Sequence, residues 1–152
     1  MSDNLNQEIK LNKDEVLFLA GSSDYDLYYI TSGKVMVYLQ NGSQITPVAY
    51  IGKDEFIGEL SFFDKTKRSA SIISIEPTEL VRVNSKELYK FIPNWLHKIG
   101  EQLALKIRSN DEIIRSKGIR KTKVETIKPL SIEEQTKIYK ITEDFKKKHG
   151  IN

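Results

Sequence analysis

The sequence predicts an α+β fold in which an antiparallel β jelly roll or barrel is followed by helices. Two observations support this prediction. From residue 15 to about residue 83, short β-branched runs alternate with turn residues, at the spacing of an antiparallel sandwich or barrel. From residue 84 onward, apolar residues recur every three or four positions, which is typical of amphipathic helices.

The strands are indicated by alternation and by turn residues. Residues 34–39 place valine or leucine at every second position, which is the period of a strand with one buried face. Gly33 and the dipeptide Asn41-Gly42 mark tight turns, because glycine and asparagine tolerate a positive φ. Two β-branched runs, ASIISI and ELVRV, lie on either side of Pro77, which marks the break between two strands.

Two helices are predicted directly after the strands. Asn84 with Glu87 forms a capping-box-like start to a short helix, which Pro93 ends. A long helix follows over residues 94–117, with Gly118 as its stop. Its apolar stripe is interrupted by one asparagine and consists of Leu96, Ile99, Leu103, Ile107, Asn110 and Ile114.

A final helix is predicted after a linker over residues 122–129. It begins at Ser131, with Glu134 three positions later as the second half of a capping box. Its apolar stripe consists of Ile138, Ile141 and Phe145. We therefore predict two units, with the barrel and the long helix in residues 1–118 and the linker with the C-terminal amphipathic helix in residues 119–152.

The composition narrows the class of protein. Of the 152 residues, 39% are apolar and 30% are charged, which fits a soluble globular chain and not a disordered one. No apolar run approaches the roughly 20 residues of a membrane-spanning helix, and the polar N-terminus does not resemble a signal peptide, so we expect a cytoplasmic protein without a membrane partner. The absence of cysteine excludes disulfides and thiolate metal sites.

Charge is distributed unevenly along the chain. Residues 115–152 contain 11 basic and 5 acidic residues, whereas residues 1–114 are slightly acidic. A basic tail can bind nucleic acid or anionic lipid, but a solvated helix face is the more common explanation.

One segment, FIGELSFFDKTKRSASI over residues 56–72, combines residue types that suit a cyclic phosphodiester. Gly58 allows a close backbone approach, and the N–H groups of a helical turn after it would attract an anion. Arg68 offers a planar fork for two phosphate oxygens, Ser69 offers a hydroxyl donor, and Ala70 leaves room beside them. A phosphate would repel the carboxylate of Glu59, so that residue makes sense only if the ligand also presents a hydroxyl donor, as ribose does.

GELSFF followed by KRSAS resembles the phosphate-binding cassette of the cyclic nucleotide-binding domain family. The resemblance covers roughly residues 13–115 and implies a jelly-roll fold without catalytic residues, metal or cofactor. It implies that Glu59 accepts the ribose 2′-hydroxyl and that Arg68 and Ser69 bind the cyclic phosphate. The remaining matched or adjacent positions, which would lie around the phosphate or ribose, are Gly58, Leu60, Ser61 and Ala70.

The predicted long helix is relevant to which base the bound nucleotide carries. In this family, the corresponding helix often pairs with its twin in a homodimer and supplies a base-reading residue. Asn110 has donors and acceptors that suit an adenine edge, but an asparagine in an apolar stripe can equally fix the register of a helix dimer. Ser69 and Asn110 together favour cAMP as the ligand, with cGMP and a cyclic dinucleotide as alternatives.

The alternatives to a sensor are a DNA-binding transcription factor, a metalloenzyme and a ligand-free interaction module. Transcription factors of this family carry a helix-turn-helix after the long helix, whereas 31 residues with one predicted helix follow Lys121, so specific DNA binding is not expected. A cupin-type metalloenzyme would need several histidines in the barrel, but His97 and His149 both lie outside it. We therefore expect a stand-alone, non-enzymatic sensor that signals through its C-terminal helices to a protein effector. The main alternative is a ligand-free module that dimerises through residues 94–117.

Overall fold

The computed structural model describes residues 5–117 and 128–152, with the side chains of residues 111–117 outside the description. The predicted stop at Gly118, the side chain of Ile114 and most of the predicted linker therefore lie outside the described residues. Along the described chain the elements are β1 (Asn6–Leu11), β2 (Val16–Phe18), β3 (Leu27–Ser32), β4 (Lys34–Asn41), β5 (Gln44–Gly52), β6 (Phe56–Ile57), α1 (Glu59–Asp64), β7 (Ser71–Ser74), β8 (Thr78–Val83), α2 (Ser85–Leu88), α3 (Asn94–Lys117) and α4 (Ile132–Lys148).

The strands form two antiparallel sheets with the orders β1-β8-β3-β6 and β2-β7-β4-β5. Apart from β4 and β5, each strand belongs to a different sheet from the strand that follows it in the sequence. This alternation between two sheets is the connectivity of a jelly roll. The predicted α+β jelly roll is therefore confirmed. The hairpin between β4 and β5 lies where the turn dipeptide predicts it, with Gly42 at a φ of 62°, while Asn41 is the last residue of β4 and pairs with Gln44.

An inner core fills the space between the two sheets. Its buried side chains come from both sheets and consist of Phe18, Tyr28, Ile30, Val35, Ile57, Ile72 and Leu80. A bulge within β2 turns Phe18 into this core, whereas Val16, two positions earlier, faces outward. This inner core supports the floor of the cavity described below.

A second core lies outside the barrel, between the sheet β2-β7-β4-β5 and α4. Ile138 of α4 is buried among Met36, Tyr38, Ile45 and Ile73 of the sheet, and the rest of the predicted α4 stripe packs at its edge. This explains why β4 is apolar at consecutive positions: one set of side chains faces the barrel interior and the other faces α4. The predicted amphipathic helix is confirmed, and its apolar face is used within the chain.

The helix starts are formed by the predicted caps. The Asn84 side chain accepts a hydrogen bond from the Glu87 amide at the start of α2. Ser131 and Glu134 form the full reciprocal capping box at the start of α4. Both were predicted because a cap requires only residues three positions apart.

Helix α3 packs on α1 through a face different from its apolar stripe. Gly100 lies directly against the Phe63 ring, where an added Cβ would overlap the ring carbons, and Ala104 is buried beside it. Leu96, Ile99, Leu103 and Ile107 of the stripe are instead 42–54% exposed. Asn110, which interrupts the stripe, is also exposed, so the described chain does not bury this asparagine. Among the described residues, no helix is long and apolar enough to span a membrane.

Candidate nucleotide site

A cavity of about 190 Å³ opens between the barrel wall and α1. Seven of the eight predicted site residues line it, namely Gly58, Glu59, Leu60, Ser61, Arg68, Ser69 and Ala70. Five apolar side chains from both sheets form the rest of its wall, namely Phe18, Val37, Ile51, Ile57 and Ile72. The cavity therefore presents one polar side, supplied by residues 58–61 and 68–70, opposite an apolar side supplied by the barrel.

Gly58 positions the polar side of the cavity. It is the N-cap of α1 and has a φ of 86°, in the left-handed region that favours glycine. The first hydrogen bond of α1 runs from the Phe62 N–H to the Gly58 carbonyl, so the N–H groups of residues 59–61 have no partner within the helix. A Cβ at position 58 would collide with the Arg68 guanidinium, which means that the arginine occupies the space that only a glycine leaves.

Arg68 is 3% exposed and is held from several sides. Its Nη1 donates to the Gly58 carbonyl at 3.0 Å, and its Nη2 donates to the Asp26 carbonyl at 2.5 Å. Nη2 also lies 3.1 Å from the Asp24 carboxylate, and the guanidinium carbon lies 4.3 Å from the centre of the Phe18 ring. Its Nε is buried and has no hydrogen-bond partner among the described residues.

Glu59 does not pair with Arg68. The partner of the arginine is Asp24, and the Glu59 side chain is exposed at the rim of the cavity. Glu59 and Arg68 therefore do not occupy the cavity by pairing with each other. The glutamate stays available for a contact with a ligand.

A buried polar network behind Arg68 was not predicted from the sequence. Tyr28 donates to the Asp24 carboxylate at 2.7 Å, and burial together with this carboxylate raises the pKa of Tyr28. Asp26 accepts from Arg82 Nε at 2.6 Å and from the Ser85 N–H at 2.8 Å. Although burial acts to raise the pKa of Asp26, these hydrogen bonds lower it below its ordinary value. The only sequence feature that could have indicated this network is the pair of acids, Asp24 and Asp26, just before β3.

Arg108 of α3 also reaches the site and was missed. It donates to Ser61 Oγ at 3.2 Å and forms a hydrogen-bonded ion pair with Asp64, whose side chain is 1% exposed. Burial acts to raise the pKa of Asp64, but the hydrogen bonds from Arg108 and Thr66 lower it. Helix α3 is thus bound to α1 by this ion pair as well as by the contact of Gly100 with Phe63.

Asn110, the eighth predicted site residue, does not line the cavity. It lies on the exposed part of α3, two positions after Arg108. Its predicted contact with a base stays a prediction. Among the described residues, no group of three histidine, aspartate or glutamate side chains is placed to hold a metal ion.

The family model described as "Cyclic nucleotide-binding domain" matches residues 8–94 of the chain. The chain belongs to the cyclic nucleotide-binding domain family. The matched range contains the barrel except the first two residues of β1, and it contains every residue of the cavity wall. The resemblance inferred from the cassette residues is thereby confirmed, and the assignment of individual residues to parts of a nucleotide stays a prediction.

Known members of the family support the same fold. The cyclic AMP receptor protein of Thermus thermophilus is 32% identical over 99 residues, which cover 62% of this chain and 46% of that protein. The structure of the Thermus thermophilus catabolite activator protein superposes with a TM-score of 0.60 and 27% identity, over 74% of this chain and 55% of that one. The cAMP-bound form of the EAL enzyme Bd1971 gives a TM-score of 0.59 and 25% identity, over 74% of this chain and 31% of that one. The chain thus spans about half or less of the length of these relatives.

Proposed function

We propose that this cyclic nucleotide-binding domain is a regulatory sensor whose ligand is cAMP. The proposal rests on one observation: the predicted cassette residues line a single cavity, and the Nε donor of the buried Arg68 in its wall has no partner within the described part of the chain. A buried donor without a partner carries a free-energy cost, which a phosphate oxygen would remove.

The chemistry of the wall suggests how such a ligand would be held. Arg68, the hydroxyl of Ser69 and the leading amides of α1 would bind the cyclic phosphate. Glu59 at the rim would accept the ribose 2′-hydroxyl. The apolar side of the cavity, which includes Val37 and Ile51, would contact the uncharged parts of the nucleotide.

The choice of cAMP over cGMP is part of the proposal. It is supported by the name of the Thermus relative, a cyclic AMP receptor protein. The EAL enzyme Bd1971 has both a cAMP-bound and a cGMP-bound structure, so it supports a cyclic nucleotide ligand without favouring either base. If Asn110 reads the base, Asn110→Ala should change the ratio of the cAMP and cGMP dissociation constants. An unchanged ratio with a weaker dimer would instead assign Asn110 to packing.

Isothermal titration calorimetry with cAMP tests the sensor directly. We expect wild-type protein to bind and Arg68→Ala to lose detectable binding, because the substitution removes the buried cation. Lys67→Ala is a matched control, since it removes the same charge from the adjacent exposed position, outside the cavity wall. If cAMP, cGMP and a cyclic dinucleotide all give neither heat nor a melting shift, the sensor is refuted in favour of a ligand-free interaction module.

We further propose that the sensor is a homodimer formed through α3 and relays ligand binding through its helices to a protein effector. The exposed stripe that includes Leu96, Ile99 and Leu103 is a contiguous apolar surface of the kind that marks an interface. Sedimentation velocity should show a dimer that Leu103→Lys dissociates. Leu105→Lys is the control, because Leu105 is equally exposed but lies on the other side of the helix. Equal behaviour of the two variants would contradict the α3 dimer.

A further inference from the structure

The sheet β2-β7-β4-β5 separates the nucleotide cavity from α4. Side chains alternate across a strand, so consecutive residues of β4 and β7 face opposite sides of this sheet. Val37 and Ile72 line the cavity, whereas the next residues, Tyr38 and Ile73, are buried under α4. Strands β4 and β7 therefore contribute both to the wall of the cavity and to the floor of the α4 interface.

The segment after β2, residues 19–22, connects α4 to Arg68 by a second route. Leu19 is buried in the core under α4. Two residues later, the Gly21 N–H donates to the Arg68 carbonyl at 2.7 Å, and the Arg68 N–H donates to the Ser22 carbonyl at 2.9 Å. The main chain of the arginine is thus paired with a segment that α4 holds in place through Leu19.

The segment after β2 also makes a polar contact with the sheet. The Ala20 N–H donates to Ser71 Oγ at 2.9 Å. On its outer side lies a cleft of about 680 Å³, bounded by Tyr139, Glu143 and Lys146 of α4. Because this side of the segment is open, packing of Leu19 under α4 is its main apolar support.

A buried hydrogen bond fixes the position of α4 on the sheet. The hydroxyls of Tyr38 and Thr142 lie 2.7 Å apart, and both residues are fully buried. Buried hydroxyls need partners, so a shift of α4 along the sheet would break this hydrogen bond at a cost in free energy. At the N-terminal end of the helix, Gln135 accepts from the Ile45 N–H of β5, and Lys137 pairs with Asp14 at 2.8 Å.

We propose that α4 is a clamp that positions Arg68 for the phosphate and that nucleotide binding in turn tightens α4 on the sheet. Thr142 and Ile138 are the positioning residues of this clamp, since neither touches the cavity. The inference rests on the proposed nucleotide binding. It gives α4 a role within the sensor, because its apolar face is occupied by its own barrel.

Coupling between two sites is reciprocal, so coupling of α4 to the nucleotide cavity leads to two measurable predictions. In hydrogen exchange of the full chain, saturating cAMP should slow exchange of the amides of α4 and of residues 19–22 by a larger factor than those of β1. Strand β1 is a suitable reference, because it pairs with β8 of the other sheet. Conversely, loosening α4 should weaken the binding of cAMP.

Two conservative variants should weaken the packing of α4 on the sheet without leaving a large cavity in the core. Thr142→Val removes the hydroxyl partner of Tyr38 at nearly constant shape, and Ile138→Val removes one methylene group. We expect each to raise the cAMP dissociation constant by about fivefold or more while the protein stays folded. Lys140→Ala, on the exposed side of the same helix, should leave it unchanged.

The outcomes separate the clamp from the proposed function. Wild-type binding of cAMP, with unchanged exchange in α4 and with dissociation constants of both variants equal to that of Lys140→Ala, would overturn the clamp alone and make α4 a structural cover. If wild-type protein binds no cyclic nucleotide, the proposed function fails and the clamp fails with it. Slower exchange in α4 together with weaker binding in both variants supports the clamp.

Discussion

Substitution of Gly58 by alanine tests the geometry of the cavity through a single methyl group. The new Cβ would collide with Nη1 of Arg68 and would lie 3.0 Å from both the guanidinium carbon and the Asp26 carbonyl oxygen. The arginine therefore has to move, and its hydrogen bond to the Gly58 carbonyl is lost. In addition, the φ of 86° at this position is unfavourable for alanine.

The substitution changes both the free energy of folding and the free energy of binding cAMP, and the two changes can be estimated separately. The left-handed backbone costs about 1–2 kcal/mol of folding free energy for a residue with a Cβ. Loss of one charge-assisted hydrogen bond to the phosphate costs about 1.5–3 kcal/mol of binding free energy. At about 1.4 kcal/mol per tenfold, this corresponds to roughly 10- to 100-fold weaker binding of cAMP. The melting temperature should also fall, because the collision and the lost hydrogen bond of Arg68 add to the backbone cost, and about 1 kcal/mol corresponds to roughly 2–4 °C at this chain length.

Gly42→Ala separates backbone strain from the collision. Gly42 also has a positive φ, of 62°, but no atom lies within 4 Å of an added Cβ. We expect this variant to lose a similar amount of backbone stability and to bind cAMP normally. Calorimetry and thermal unfolding of both variants give the comparison. Wild-type affinity in Gly58→Ala, or equal loss of affinity in both variants, would refute the role of Gly58 as the space for Arg68.

Two further predictions concern the attachment of α3 to α1. Gly100→Ala should lower the free energy of unfolding by about 1–3 kcal/mol, because its Cβ would overlap the Phe63 ring, and Phe63→Leu in the same chain should restore part of the loss in chemical denaturation. Equal stabilities of the single and double variants would contradict this packing. The lowered pKa of Asp64 means that its carboxylate stabilises the fold above its unfolded pKa of 3.8 and that this stabilisation is lost as pH falls through the folded pKa. Between about pH 6 and pH 2, Asp64→Asn should therefore lose less stability than wild-type protein in denaturant titrations; an identical loss would exclude this carboxylate as a source of the acid sensitivity.

The fold could be predicted from the sequence where local patterns determine it. Helix starts at Asn84 and Ser131 depend on residues three positions apart, and the glycine turns depend on one or two residues. The cassette residues could be predicted because their spacing within residues 56–72 already describes a helical turn and a returning arginine. In each case the interacting groups are close along the chain, so the sequence contains the information directly.

The contacts that the sequence did not predict connect distant positions. The partners of Arg68 include Asp26, 42 residues away, and Arg108 meets Asp64 across 44 residues. The hydroxyls of Tyr38 and Thr142 meet across 104 residues. A charge at such a separation has many candidate partners, and only packing selects one. The same holds for the α4 stripe, whose amphipathic pattern indicates a buried face without indicating what buries it.

The environment of Arg68 explains why an arginine suits this position better than a lysine. Backbone carbonyls of residues 58 and 26 accept from its two terminal nitrogens, so the backbone of the barrel fixes the fork independently of any ligand. A guanidinium has a third nitrogen, and the buried Nε of Arg68 has no acceptor among the described residues. A lysine would bring the charge but only one nitrogen, which cannot reach both carbonyls and a phosphate oxygen together. If Arg68 binds the phosphate as proposed, the backbone would hold its terminal nitrogens in place before the ligand arrives, which is what a preorganised binding cation requires.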